Sequence, residues 1–445
     1  MLDIKYIREN ADKVKDAVKR KFLTFDVDEL LALDEQRRSL LSESEILRAQ
    51  KNEASKAIPK LAADERAAKI AEMKTVDAKQ AEIESKLVLV QTNFDELMLY
   101  VPNIPADDVP EGPDDTYNKS VKFWHPQKGE YIPSNPDDAP AVFDFEIKDH
   151  IALGEQLGLF DFERGVKTSG FRGYYLKNEA VLLHYGLLQY ALKKLQAEDF
   201  AMMSTPTLVR EFALIGSGHF PGDREGIYQV ANAKDRTKDK EDVFLTGTSE
   251  PSLLAYFAET IIDESELPKK VCGISQCYRS EIGSYGKDTK GVYRIHEFMK
   301  VEQVVICKAD IAESEMWHQK ILGISESILQ DLQLPYRIVA NAAGDMGVGK
   351  YRMFDIETWM PGRGKYGETH SASNLTDWQT RRLGIKYKDA KGKNLYAFAL
   401  NNTAIASPRI LIAILENYQQ ADGSVRVPDV LRSYIGKDVL RPLTV

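Results

Sequence analysis

The chain is poor in the residues that would mark several common protein classes. It has three cysteines in 445 residues, Cys272, Cys277 and Cys307. So few thiols argue against a disulfide scaffold and fit a reducing compartment. No Cys or His spacing completes a zinc-ligand pattern with them, so no zinc is expected. No run of eighteen apolar residues occurs, and no membrane-spanning helix is expected. The opening Met1-Leu2-Asp3-Ile4-Lys5 carries charges where a signal peptide needs an apolar run, so a cytoplasmic protein is expected. A positive net charge is missing too: 59 Lys+Arg against 68 Asp+Glu leave −9. That excludes a general basic coat for DNA or RNA, and contact with a polyanion has to use a local patch. Neither a Walker-type loop nor a Rossmann glycine fingerprint is present, which removes the usual phosphate cradles. The hydrophobic fraction of 43% is enough to bury a large core. The length suggests two to four domains, at roughly 100–200 residues each.

Residues 1–100 contain no glycine and one proline, Pro59. The pattern predicts a short helix from Asp3 to about Lys21 and a longer one from about Asp26 to Ala57. After a break at Pro59–Ala63, Asp64 is placed to cap a third helix reaching about Leu99. In that helix Met73, Val76, Gln80, Ile83, Leu87, Val90, Phe94 and Leu97 alternate steps of three and four, a heptad seam with one polar member. Leu30, Leu33, Leu40 and Leu47 form the facing seam, interrupted by Arg37 and Ser44. Two such helices make an antiparallel coiled-coil arm over about 26–99, roughly 50 Å long. An oligomerisation coil is the other reading of this pair. Residues 1–100 hold 18 Lys+Arg and 20 Asp+Glu, with Arg48, Lys51, Lys56 and Lys60 clustered toward the tip of the arm. Such a cluster is either a solvated face or a contact for RNA phosphates. Residues 101–140 hold eight of the 18 prolines and read as a linker. From 141 to 445, β-like runs and amphipathic helices alternate with hairpin signals. The expected fold is α+β: an antiparallel β-sheet with flanking helices, preceded by the helical arm.

Four segments carry chemistry. Cys277–Glu281 and Val292–Val304 flank a Gly-rich charged turn, 283–291, and read as an antiparallel hairpin. Alternation puts Arg294, His296, Phe298, Lys300 and Glu302 on one face, and Arg279 with Glu281 on another. A half-buried face with these charges is either a salt-bridged solvent face or a nucleotide site. In the second case Arg forks a phosphate and Phe298 stacks on a base. Ser407-Pro408-Arg409 reads as a helix start in which Ser407 caps and Pro408 occupies the first turn. An Arg at a helix N-terminus is tolerable if exposed, and useful if an anion sits there. Thr246–Glu250 follows the strand-like Val243–Leu245. Gly367-Glu368-Thr369-His370-Ser371-Ala372-Ser373-Asn374 reads as a polar loop, and neither is specific by itself.

Together these segments resemble the class II aminoacyl-tRNA synthetases, and within them the seryl-tRNA synthetase family. Tyr278-Arg279-Ser280-Glu281 through Phe298, Lys300 and Glu302 is similar to motif 2. Leu400-Asn401-Asn402-Thr403 through Arg409 to Gln419 is similar to motif 3, and Pro206 to the motif 1 proline at the dimer interface. Thr248-Ser249-Glu250 resembles the Thr-X-Glu loop. Ser371–Asn374 with Asp377, Trp378, Gln379, Arg381 and Arg382 resembles the stretch particular to the seryl enzymes.

The resemblance implies a homodimer that forms seryl-adenylate from L-serine and ATP and passes serine to the 3′ end of tRNA(Ser). It leaves tRNA(Sec) open as a second acceptor, and it implies neither DNA nor membrane partners. It implies catalytic roles for Arg279 at the α-phosphate and Arg409 at the γ-phosphate. Phe298 and Glu281 take the adenine side. Glu368 and Ser371 ligate Mg²⁺, and Ser280, Thr369 and His370 complete the ATP set. Thr248, Ser249 and Glu250 serve the serine amino end, beside Arg279, and Glu302 and Thr403 its hydroxyl. The arm then reaches a tRNA, with Arg48, Lys51, Lys56 and Lys60 as its contacts. Three positions depart from the family pattern: His370 stands where a small hydroxyl residue is usual, and Asn402 and Ala404 where glycines are common. A non-catalytic RNA-binding paralogue and an amino-acid:carrier-protein ligase are the alternatives. Retention of Arg279, Glu281, Glu302, Glu368 and Arg409 weighs against the first, and the arm against the second.

Overall fold

The computed structural model describes residues 1–136, 139–140, 143–231, 241–282 and 290–443. Most of the motif 2 turn, 283–289, lies outside them. The chain forms two compact units, Met1–Lys19 with Leu23–Pro102, and Arg20–Phe22 with the chain from Asn103 onward.

The first unit is helical: α1 (Ile4–Glu9), α2 (Ala11–Arg20), α3 (Val27–Ala57) and α4 (Ala63–Met98). The first expected helix is therefore two. Asn10 ends α1, its side chain donating to the Tyr6 carbonyl and competing with the helix ladder. Asp26 caps α3 by accepting from the N–H groups of Asp28 and Glu29. The cap of α4 is Ala62 rather than Asp64, which lies in the first turn and there favours the positive end of the helix dipole. The pairs Arg37–Phe94, Arg48–Glu84 and Lys51–Asp77 run in opposite sequence directions, so α3 and α4 are antiparallel. Every residue of the α4 seam is buried or half-buried. The two breaks in the α3 seam are accommodated: Ser44 is buried, and the Arg37 guanidinium lies over the Phe94 ring at 4.5 Å. The Asp34 carboxylate is fully buried against Arg37 at 2.8 Å, Arg38 at 3.1 Å and Arg8 at 3.5 Å.

The second unit is built on a nine-stranded sheet. Its strands are β1 (Lys119–His125), β2 (Gly129–Tyr131), β3 (Ala201–Ser204), β4 (Lys269–Tyr278), β5 (Glu297–Cys307), β6 (Tyr336–Ala340), β7 (Arg352–Met360), β8 (Lys365–Asn374) and β9 (Phe398–Ser407). The order is β2-β1-β6-β7-β8-β9-β5-β4-β3, antiparallel throughout except for the β3–β4 pair at one edge. The proline-rich 101–140 stretch supplies β1 and β2. The 367–374 segment, read as a loop, is the central strand β8. Its run of small and hydroxyl residues lacks the apolar alternation that marks a strand, yet those residues fit between two paired neighbours.

Helices α5 (Glu179–Ala197), α6 (Ile311–Asp331) and α7 (Arg409–Tyr418) cover one face. Leu183, Leu187, Ile321, Ile328, Ile410 and Leu415 pack there with Val301, Val305 and Ile405 of the sheet. On the other face Val304 and Ile306 join a smaller core with Leu253, Leu254 and Phe257. The even-numbered face of β5 thus changes character along its length. Val304 and Ile306 are core, while Phe298, Lys300 and Glu302 line a cavity.

Candidate active site

The cavity measures about 210 Å³ and opens through Arg279, Glu281, Glu368 and Arg409 into a second one of about 360 Å³. Its back wall comes from β5 and β9. Glu302 and Thr403 are direct partners across these strands, with an irregularity in the β9 register at Ala404. That extra residue shifts the alternation, so Thr403 and Ala406 both face the cavity.

Carboxylates dominate the inner end. Glu302 is buried, 2.5 Å from the Lys300 ammonium, and accepts from Thr403 Oγ1 at 3.4 Å. Its other oxygen has no protein donor among the described residues. Burial pushes its carboxyl up, and Lys300 opposes that. Glu250 accepts from Gln379 at 2.6 Å and Asn401 at 2.8 Å, both on Oε1. Burial pushes its carboxyl up as well. The Thr248 hydroxyl faces the same space, buried and without a partner among the described residues. Unmet acceptors beside an unmet hydroxyl suit a small ligand rich in N–H and O–H groups.

Arginines form the outer end. The Arg279 guanidinium lies over Phe298 at 5.2 Å and makes no ion pair among the described residues. Arg409 Nε donates to the Tyr293 carbonyl at 3.0 Å, and Nη1 to the Glu368 carbonyl at 2.9 Å. Arg279 and Glu281 lie past the end of β4. Glu281 takes φ 54°, a left-handed backbone that turns the chain and aims its carboxylate at Arg294, 3.2 Å away. Arg294 and His296 precede β5, so the expected single face runs only from Phe298 to Glu302. The Ser407 hydroxyl contacts His184 Nδ1 at 2.8 Å and does not cap α7, which begins at Arg409 without a side-chain cap.

On β8, Glu368, Thr369, Ser371 and Ser373 line the cavity. An irregularity between Ile356 and Glu357 leaves Thr369 unpaired, so it joins Glu368 on the open side. Asp355 sits opposite Ser371. Burial first, then the charge of Glu368, push its carboxyl up. The oxygens of Asp355, Glu368 and Ser371 form a donor set that fits a hard divalent cation.

Three expected site residues do not line the cavity. Ser249 is buried beneath it, bonded to Ser275 Oγ at 2.7 Å. Ser280 donates to the Glu225 carbonyl at 3.0 Å. His370 points to the opposite side of β8 from Ser371, as alternation requires. Its Nε2 meets the Ala404 carbonyl at 3.1 Å and its Nδ1 the Thr369 hydroxyl at 2.8 Å. Burial pushes the imidazole down to about 3, so the ring is neutral. Two of the positions that depart from the family pattern are therefore bonded to each other. The third, Asn402, donates to the Ile321 carbonyl and to Ser325, whose hydroxyl donates to the Thr403 carbonyl. Both contacts secure the β9 segment around Thr403.

Lys300, Ser373 and Asn401 were not assigned roles, although each lies two residues from one that was, a spacing that shares a strand face. His219, Tyr293 and Lys350 also line the cavity from loops, where no periodic signal exists. Pro206 is exposed just after the edge strand β3. Of the arm-tip cations, Arg48 and Lys51 are paired within the arm, and Lys56 and Lys60 are exposed.

Residues 1–105 match the profile of the seryl-tRNA synthetase N-terminal domain, and 228–418 that of the class II tRNA synthetase core domain (G, H, P, S and T). A serine–tRNA ligase from Deinococcus radiodurans is 42% identical over 436 residues, covering 98% of each chain. One from Rubrobacter xylanophilus is 39% identical, covering 99% of each. The crystal structure of seryl-tRNA synthetase from Pyrococcus horikoshii complexed with ATP superposes with a TM-score of 0.88 at 37% identity over the whole of both chains. The cytoplasmic serine–tRNA ligase of Naegleria fowleri in complex with AMP gives 0.84 at 29%, covering 100% of this chain and 99% of that one.

Proposed function

The chain belongs to the seryl-tRNA synthetase family, and from that membership we propose that it activates L-serine with ATP and esterifies the 3′ end of tRNA(Ser). The observation that carries this reading is the polarity of the cavity between β5, β8 and β9. Arg279, without an ion pair among the described residues, and Phe298 stand at its mouth, and the acceptors of Glu250 and Glu302 stand at its back. ATP enters with adenine on Phe298 and its α-phosphate on Arg279, while Arg409 takes the γ-phosphate. Thr248 and Glu250 bind the serine ammonium, and Glu302 with Thr403 its hydroxyl. Serine's carboxylate then lies toward the α-phosphate, and attack on phosphorus expels pyrophosphate between the two arginines. Alignment and charge neutralisation do the work, and no general base is required. Glu368 and Ser371 would hold Mg²⁺, which supplies further neutralisation of the triphosphate. Alanine gives the second Glu302 oxygen no donor, a penalty that reaches about 10⁴-fold in sites of this kind.

The arm carries the tRNA contact, through exposed Lys56 and Lys60 near its tip, with Arg48 and Lys51 behind them. Met202, Leu208 and Phe212, exposed beside Pro206 and the β3 edge, suit a homodimer interface. The low cysteine content, three in 445 residues, supports a cytoplasmic location. Among the described residues no helix is long and apolar enough to cross a membrane.

ATP–pyrophosphate exchange with each of the twenty amino acids, tRNA omitted, tests the reading. Exchange with serine alone is expected, and Arg409→Ala abolishes it. Exchange with no amino acid would return the chain to the non-catalytic paralogue reading.

A further inference from the structure

A closed ring of contacts joins the arginine end of the cavity to its back support. Glu416 lies two turns beyond Arg409 on α7 and is fully buried. Its Oε1 accepts from the His150 backbone N–H at 2.9 Å and meets His150 Nδ1 at 3.0 Å. Its Oε2 accepts from the Gly362 N–H at 2.9 Å. His150 Nε2 in turn accepts from the Val292 N–H at 3.4 Å. One ring nitrogen faces a carboxylate and the other an N–H, so the proton sits on Nδ1. The fit leaves no slack: Gly291 has φ 74°, and a Cβ there would lie 2.1 Å from His150 Nε2. The next residue, Tyr293, closes the ring. Its carbonyl accepts from Arg409 Nε, and the guanidinium groups of Arg409 and Arg363 lie over its ring at 4.4 and 3.7 Å. Arg363 follows Gly362, which Glu416 also holds.

We infer that His150 is a positioning residue for the triphosphate grip, acting through Val292 and Tyr293 on Arg409. The inference rests on Arg409 binding the γ-phosphate. Neither sequence motif contains His150, which caps no catalytic strand and lines no part of the cavity. Its effect falls on the outer phosphates, since the hydrogen bonds that Glu416, His150, Val292 and Tyr293 make in this ring lead to Arg409.

The test compares ATP with AMP binding to the full chain. Asn in place of His150 keeps a donor toward Glu416 and loses the Val292 acceptor, whereas Gln does the reverse. Both His150→Asn and His150→Gln are expected to weaken ATP binding roughly tenfold, the scale of one hydrogen bond to a charged network. Affinity for AMP and KM for serine stay within about twofold. Equal losses for ATP and AMP would reduce His150 to a structural role and overturn the inference, as would unchanged ATP affinity. If neither variant folds, Glu416→Gln reads the same ring through Gly362 and is held to the same outcomes. Arg409→Ala runs alongside. If it too leaves the ATP-to-AMP ratio unchanged, the γ-phosphate reading of Arg409 fails and the inference falls with it. If only Arg409→Ala changes the ratio, the inference alone fails.

Discussion

Lys300 and Glu302 share a strand face with a buried threonine, and their pairing decides how the serine end of the cavity works. A buried carboxylate is expensive without a cation, and a buried ammonium without an anion. Burial favours the neutral form of Glu302 and Lys300 opposes it, which favours an oxygen that acts as an acceptor. Lys300→Met removes that support while preserving the stem. We expect kcat/KM for serine in the exchange reaction to fall by about 10²-fold or more, the order of a 3 kcal/mol penalty. KM for ATP should change little, and equal loss for both substrates would contradict the assignment. His370 shows the opposite case. Its sequence position beside Glu368 and Ser371 places it in the expected ATP set, but strand alternation turns it away. Both its nitrogens are engaged in bracing Thr369 and the Ala404 carbonyl.

At the scale of elements, α6 illustrates how packing sets a titration. His318 is fully buried on this helix, its ring 5.3 Å from that of Phe354. Burial pushes its imidazole down to about 4. The folded value lies below the ordinary value near 6.5, so the unfolded chain binds the extra proton. The stability this neutral ring contributes is complete above about pH 6.5 and is lost as pH falls toward 4. His318→Leu should remove that slope, about 1.4 kcal/mol per pH unit at most. Urea midpoints of the two proteins at pH 7 and pH 5 measure it, and parallel profiles would count against the account. The strands carry a related lesson. Irregularities at Thr369 and Ala404 break the alternation that sequence reading assumes, and both put extra residues on the cavity side. A register irregularity depends on the neighbouring strand, so the strand's own residues do not reveal it.

For the molecule as a whole, the separation into two compact units supports a division of labour. Excision of residues 27–100, with the ends joined by a short Gly-Ser linker, should leave serine-dependent pyrophosphate exchange within a few-fold of the full chain. Charging of tRNA(Ser), measured by aminoacylation, should fall at least about 100-fold as the phosphate contacts of the arm are lost. Charging that survives would mean the arm is not the tRNA contact.

The amino-acid sequence by itself determined the arm, because a heptad seam is a local pattern whose partner lies one turn away in the chain. It also determined one wall of the cavity, because Phe298, Lys300 and Glu302 follow the strand period. Tertiary structure alone decided that β8 is a strand and that Ser407 serves His184 instead of capping α7. It alone brought His219, Tyr293 and Lys350 to the cavity and His150 to Glu416. These are contacts between residues far apart in the chain. Their energy comes from burial and from partners on other elements, which no local period encodes.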